Sequence, residues 1–413
     1  MGRALGAFRI AAGLIAALFA LAAAPAVRAE PGDGVRLGEW TFHPTAEGDV
    51  AYQTNVYLLA HPSLVAHPDD WIFRFVPQLT GERIGSRAHI KFYALYDWRQ
   101  YAYNPQLDAH DNFGVGATTA FDEDHDLALV AEDHFRIQTR SNELDLFGVY
   151  HRDENTAKFG TVYRPGDALE VKPAAFWNYD RFTDTRLTFA ERHTMGVGVD
   201  ARWAFLSRTV FVLSGDGGRV HYSQSIPLPN VAGQRVNSDS IWWHAEAGVV
   251  GQLSEKINVA FKGGYGQADY QHNESLSDAR GVTAVAKIDW APRQNIAASA
   301  GYERAFQDVF FTNFDITDRL FARYRHVLRE ETAFDLNAIA EWQQYSTPYQ
   351  RRDFVTRLEP SVKRLVSRWA DVGFTYRLDR RWSSVQTLGG PSSADAPSAY
   401  ISHTFTLTAN VKW

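Results

Sequence analysis

The chain has 413 residues, a formal net charge of −6, 45% hydrophobic residues and no cysteine. The missing cysteine excludes disulfides, thiolate metal sites and a cysteine nucleophile, and the slightly acidic balance gives no basic footprint for nucleic acid. Twelve Trp, 18 Tyr and 26 Phe are a heavy aromatic load, yet no apolar run of about 18 residues follows residue 30, so no spanning helix is expected in the mature chain.

The first element reads as an address. Arg3 and Arg9 precede an apolar stretch from Ile10 to Ala24, and Val27-Arg28-Ala29 supplies small residues ahead of Glu30. A charged start, a short oily middle and a small residue at the cut site predict a secretory signal peptide over 1–29. Cleavage after Ala29 removes three arginines and no acid, taking the net charge from −6 to −9. No cysteine follows the cut, so lipid attachment there is excluded, and residues 30–413 are expected to form one domain.

From there the hydrophobic period is two. Trp71, Phe73, Phe75 and Leu79 alternate with Arg74, Gln78 and Thr80; Ala88 to Trp98 alternate with His89, Lys91, Asp97 and Arg99. Val282 to Trp290, Phe334 to Trp342 and Ile401 to Trp413 repeat the pattern. Side chains change face at every residue of a strand, so each run has one oily and one wet face. A soluble sandwich also alternates. Three features favour a transmembrane antiparallel up-and-down β-barrel of the all-β class instead. Many runs have about ten to fifteen residues, the length a tilted strand needs to cross a bilayer. Aromatics such as Trp98, Trp177, Trp203, Trp290 and Trp342 sit near run ends, where interfacial girdles lie. The terminal strand, with Phe405, Leu407, Val411 and Trp413 on one face, resembles the C-terminal signal by which the barrel-assembly machinery recognises outer-membrane barrels.

Short polar turns, such as 84–86, 164–167, 254–256 and 366–368, alternate with longer loops near 58–69, 103–110, 181–190, 222–238 and 381–397. Nineteen candidate strands result, and bacterial barrels keep an even number. The mismatch falls between residues 138 and 155, so the apolar run Leu144 to Tyr150 is assigned to an extracellular excursion outside the wall. About eighteen strands remain, with sixteen as the alternative if Asp111 to Phe121 and its neighbour are misread. Such a barrel is wide enough for an aqueous channel lined by the wet face. Arg319, Arg323, Arg325, Arg357 and Arg377, with Glu341 and Asp335 among them, would line it, and the arginines could draw in an anionic solute. Tyr93, Tyr101, Phe176, Trp242, Phe321 and Tyr345 would offer flat surfaces for sugar rings.

Several segments together resemble the Putative β-barrel porin 2 family. They are Ala51-Tyr52-Gln53-Thr54-Asn55-Val56-Tyr57, the acidic step and strand Asp69 to Leu79, Asp108-Ala109-His110-Asp111, and the turn Tyr163-Arg164-Pro165-Gly166. The resemblance covers nearly the whole mature chain in rhythm, with loose motifs. It implies a barrel without a plug domain, no catalytic residue to carry over, and export of a secreted polysaccharide with periplasmic export proteins as partners.

The fourteen histidines give no recurring nucleophile–base pair, and His193, His221, His244 and His272 read as interfacial or loop residues. Asp122, Asp124 and Asp126 have calcium-loop spacing, but Leu127 stands where glycine is required. Gly217-Gly218 and Gly263-Gly264 read as strand bends rather than phosphate sites. The expectation is therefore an outer-membrane channel seated in lipid, without metal, cofactor or catalysis. A polysaccharide is the expected cargo, loops 222–238 and 381–397 are candidate gates, and a solute-uptake porin is the alternative.

Overall fold

The computed structural model describes residues 34–58, 62, 65–141, 149–183, 185–223, 239–271, 278–309, 312–346, 351–384 and 399–412. The expected signal peptide, Trp413 and most of both candidate gate loops lie outside them.

The strands are β1 (Val35–Leu37), β2 (Trp40–Gln53), β3 (Asp70–Ile84), β4 (Ala88–Tyr101), β5 (Ala109–Phe121), β6 (Leu127–Ser141), β7 (Val149–Tyr163), β8 (Leu169–Phe182), β9 (Arg192–Leu206) and β10 (Thr209–Tyr222). They continue as β11 (Ser240–Ser254), β12 (Ile257–Tyr270), β13 (Ala279–Arg293), β14 (Ile296–Val309), β15 (Thr312–Leu328), β16 (Thr332–Tyr345), β17 (Arg352–Ser367), β18 (Ala370–Ser383) and β19 (Tyr400–Lys412). Each pairs antiparallel with the next, and β19 returns to β2 from Thr404↔Gln53 to Lys412↔Thr45. Closure removes the two end-strand edges that an open sheet would expose to lipid. Beyond that ladder the seam is held by the Thr54 amide donating to the His403 carbonyl at 2.8 Å, and by the Ser402 hydroxyl donating to the Thr54 carbonyl at 2.6 Å.

The wall therefore has eighteen strands, β2 to β19. The short β1 pairs with Trp40–Phe42 of β2, at the periplasmic end where β19 has run out. Sixteen strands are excluded because Asp111 to Phe121 lies in β5, paired on both sides. The reading of Leu144 to Tyr150 as an excursion needs correction at its end: Val149 and Tyr150 open β7 and pair with Ser141 and Arg140 of β6. The rest of that run lies outside the described residues.

Alternation sorts the faces. Trp71, Phe73 and Phe75 of β3 and Ile401, Phe405 and Leu407 of β19 are all exposed on the outer face, where lipid is the solvent. The alternate positions carry the charges. At the extracellular end the inner face acquires an apolar cluster of its own, in which Tyr150, Phe182, Val220 and Tyr222 pack with Leu187 and Ala190 of a 3-10 segment, Thr185–Ala190. This loop folds back into the mouth of the barrel because its leucine and alanine have no other apolar surface to reach.

The motifs that carried the family resemblance anchor loops. Asp70 is fully buried and accepts hydrogen bonds from the Ala102 amide at 2.9 Å, the Tyr103 amide at 3.0 Å and the Asn104 side chain at 2.8 Å. It ties the β4–β5 loop to the start of β3. Asp108 caps the Tyr101 amide at 2.7 Å. In the Tyr163 to Gly166 turn, Gly166 adopts φ +92°, which suits a residue without Cβ, and Arg164 reaches back to Glu170 at 3.0 Å.

Candidate functional site: the charged lumen

The inner wall is built from ion pairs that cross strands. Register fixes them: residues opposite each other in an antiparallel pair share a face. Arg319 on β15 lies opposite Glu341 on β16 and donates to it at 2.7 Å, with Glu303 on its other side at 3.7 Å. Asp379 on β18 takes Arg357 of β17 at 2.6 Å and Arg377 of its own strand at 2.5 Å. Arg325 is 3.8 Å from Asp335. Arg323 alone of the five arginines has no ion pair among the described residues; its guanidinium lies 6.0 Å from the centroid of the Phe321 ring. All five arginines are on the lumen face, but four of them meet carboxylates, so the cluster carries much less free positive charge than its composition implied.

Across the β19–β2 seam, Arg74 sits among Glu47 at 2.7 Å, Asp97 at 2.9 Å and Asp49 at 3.1 Å, and Arg99 pairs with Asp97 at 2.8 Å. Beside them lies a cavity of about 720 Å³ whose wall includes Arg74, Arg99, Arg136, Gln78, Tyr101 and Lys363. A second hollow of about 660 Å³ shares Arg74, Arg99 and Tyr101 and runs on to Arg357, Arg377 and Asp379. The lumen is a mosaic of both signs, dense in donors and acceptors.

The aromatic candidates divide. Tyr93 stacks on His134 at 5.6 Å, and Tyr101 lines both cavities. Phe321 lies over Gly301, whose added Cβ would come within 2.4 Å of the ring. Trp242 packs against the apolar cluster under the inward loop and meets Phe176 at 6.2 Å. Tyr345 is only 6% exposed; its hydroxyl donates to Gln343 at 2.9 Å and accepts from Arg381 at 3.1 Å, and Arg351 covers its ring at 5.3 Å. Tyr345 thus braces the extracellular rim and offers no open face to a sugar. Beside it Asp353, itself buried, joins Arg351 at 2.7 Å and also Arg381.

His244 is a correction to the sequence reading. It faces the lumen beside Trp242, not an interface, with Nδ1 3.2 Å from Asp216 and Nε2 3.1 Å from both Glu246 and Thr283. The even-numbered alternation of β11 was the available signal. His193 does lie at the outer face, stacked on Tyr179 at 4.5 Å, and His272 lies outside the described residues. Phe405, Leu407 and Val411 present one exposed face of β19 to lipid.

Outside the membrane span, Asp239 precedes β11 and is held below the ordinary carboxylate pKa. Burial opposes its charge, but the His221 ring, the Tyr222 amide and Arg219 outweigh it.

A closed antiparallel wall with an oily exterior and a charged, hollow interior defines an outer-membrane channel of the porin type. Among solved structures the fold is similar to the outer membrane protein OpdK of Pseudomonas aeruginosa, at 11% identity over 91% of this chain and 100% of that one, with a TM-score of 0.51. It is also similar to OpdO of the same organism, at 10% identity over 91% of this chain and 98% of that one, TM-score 0.51. A further structure of OpdK, with vanillate, matches at 10% identity over 91% and 100%, TM-score 0.50. No curated protein sequence matches the chain. The family model described as "Putative beta-barrel porin 2" matches residues 30–393, and the chain belongs to that family. Its place is the outer membrane of a Gram-negative cell, and both family and fold are of the channel type.

Proposed function

We propose that the chain is a passive, water-filled conduit for hydrophilic molecules and that its cargo is a secreted polysaccharide. The observation that supports this reading is the pairing of the lumen charges, with Asp379 between Arg357 and Arg377 as its centre. A pore that selects ions by sign needs an unopposed ring of charge. A wall in which opposite charges offset one another, one acid between Arg357 and Arg377 and three around Arg74 and Arg99, presents many donors and acceptors with little net field, which suits a cargo rich in hydroxyls. No reacting group is required, and the protein works as a channel rather than an enzyme. Periplasmic export proteins would dock at the short turns, and the sequence likeness to the family favours them as partners.

Uptake of small anions is the second reading. It draws on Arg136, which makes no ion pair among the described residues and shares the larger cavity with Arg99 and Lys363, and on the vanillate in the OpdK structure. Deletion of the gene separates the two. Loss of surface polysaccharide with unchanged permeability to small carboxylates is the expected result; unchanged polysaccharide with slowed carboxylate entry would replace export by uptake.

A further inference from the structure

The ladder between β13 and β14 is shorter than its neighbours. It runs up to Ala284↔Arg304 and stops, although β13 continues to Ala279 paired with β12, and β14 continues to Val309 paired with β15. Above that point the two strands part, and two aromatic contacts indicate where β14 and β15 go. By alternation Phe306 shares the outer face with Arg304, and Phe314 shares it with the exposed Leu320. Yet an added Cβ on Gly266, which lies opposite His244 on the lumen face of β12, would sit 2.5 Å from the Phe306 ring. The Phe314 ring stacks on Tyr270, also on the lumen face of β12, at 6.2 Å between centroids and 17° between planes. The outer face of the β14–β15 ends therefore lies against the inner face of β12. The wall overlaps itself at the extracellular mouth, with the later strands inside.

The sequence also fits the arrangement that this overlap forgoes. Continuing the β13–β14 register upward would place Thr283 opposite Ala305, Val282 opposite Phe306 and Arg280 opposite Asp308. An apolar pair would then face lipid at the level where Val282 now stands 61% exposed. A cross-strand pair of this kind stabilises a sheet. In the overlapped state the edges of β13 and β14 go without each other's hydrogen bonds, a cost tolerable only where water reaches them.

We propose that the extracellular ends of β14 and β15 are a gate with two positions: latched inward, with Phe306 and Phe314 seated on Gly266 and Tyr270, and zipped outward onto β13, with the mouth widened. Gly266 is the seat, since any side chain there collides with the Phe306 ring. The effect on flow rests on the channel reading; the two positions do not.

The absence of cysteine allows a direct test on the full-length protein folded in bilayers. Val282→Cys with Phe306→Cys places a pair at the zipped register. Ala286→Cys with Tyr302→Cys is the control, because that pair is already formed, on the same face and of the same hydrogen-bonding type. Oxidation is expected to cross-link both pairs, read as a gel shift, and cross-linking of the first pair should raise conductance and abolish brief closures. Gly266→Val, which leaves both gate strands intact, should lengthen openings. A control pair that cross-links while Val282→Cys/Phe306→Cys stays reduced would overturn the gate, as would Gly266→Val and wild-type channels with the same closures. Cross-linking of the first pair in a barrel that passes no ions would uphold the two positions and sink the channel reading.

Discussion

Phe176 and Trp242 meet at 6.2 Å between ring centroids although two strands, β9 and β10, separate theirs. They can do so because the positions between them are Gly196 and Gly218, paired with each other and with the two aromatics in one row across four strands. A Cβ on Gly218 would lie 2.3 Å from the Met195 carbonyl oxygen, whereas one on Gly196 would come closest to the far end of the Phe176 ring, at 2.4 Å. Gly218→Ala must therefore move backbone, and is expected to destabilise the barrel by about 1–3 kcal/mol, the usual range for overpacking. Gly196→Ala also meets backbone, with the Gly217 carbonyl oxygen 2.6 Å from the added Cβ, and should cost a similar amount even after the ring turns. Urea unfolding followed by heat-modifiable gel mobility compares the two.

Asp70 anchors the β4–β5 loop to the start of β3. Asp70→Ala leaves the Tyr103 amide, which donates to Asp70 alone, without its buried acceptor, while the Ala102 amide keeps the Trp71 carbonyl and the Asn104 side chain keeps the His67 carbonyl; orphaning a buried donor costs about 1–3 kcal/mol. The loss should appear as faster proteolysis near residues 102–108, with the wall retained.

Acid should loosen the entry to β11. A carboxyl held below its ordinary value contributes stability that is fully present above the unfolded pKa of about 3.9 and is lost as pH falls through the lower folded value. Asp239 is such a group. Hydrogen exchange at the Tyr222 amide, which donates to Asp239 at 2.9 Å, should show protection at neutral pH and lose it as pH falls through the lowered folded value, after correction for the intrinsic rate. Asp239→Asn should flatten that dependence.

The fold was legible because lipid writes half of every strand. Phe405 and Leu407 must be oily whatever the lumen does, so the period of two survives along β19. It fails where the inner face is oily too. Tyr150 lies on the lumen side of β7 and is covered by a loop that folds back over it; even parity alone puts Leu144 to Tyr150 outside the wall, and parity does not say at which residue the next strand begins. Trp242 and Tyr345 have lumen parity, but parity does not show that the 185–190 segment packs against Trp242 or that Arg381, 36 residues on, and Arg351 close Tyr345 off. Partner identity was hidden in the same way. Arg357 and Arg377 look like free cations in the sequence, and only the register of β17 on β18 brings both to Asp379. The inward step of β14 and β15 leaves no trace in the pattern, since Phe306 and Phe314 keep the parity of lipid-facing residues.

Removing the shared acid tests whether the pairs set selectivity. Asp379→Asn frees two arginines, each roughly 40% exposed to the lumen, so the reversal potential in a KCl gradient should move toward anion preference. Arg323→Gln should move it the other way, by a smaller amount, because it removes a cation that has no ion pair among the described residues.

The claim on which the rest stands is that the barrel encloses an open aqueous path with little net charge, and current through single molecules in a planar bilayer tests it most directly. Purified protein should give stepwise, ohmic currents with cation and anion permeabilities within a few-fold of each other. A bilayer that stays silent with correctly folded protein, or a strongly one-sided reversal potential in the wild type, would contradict the account.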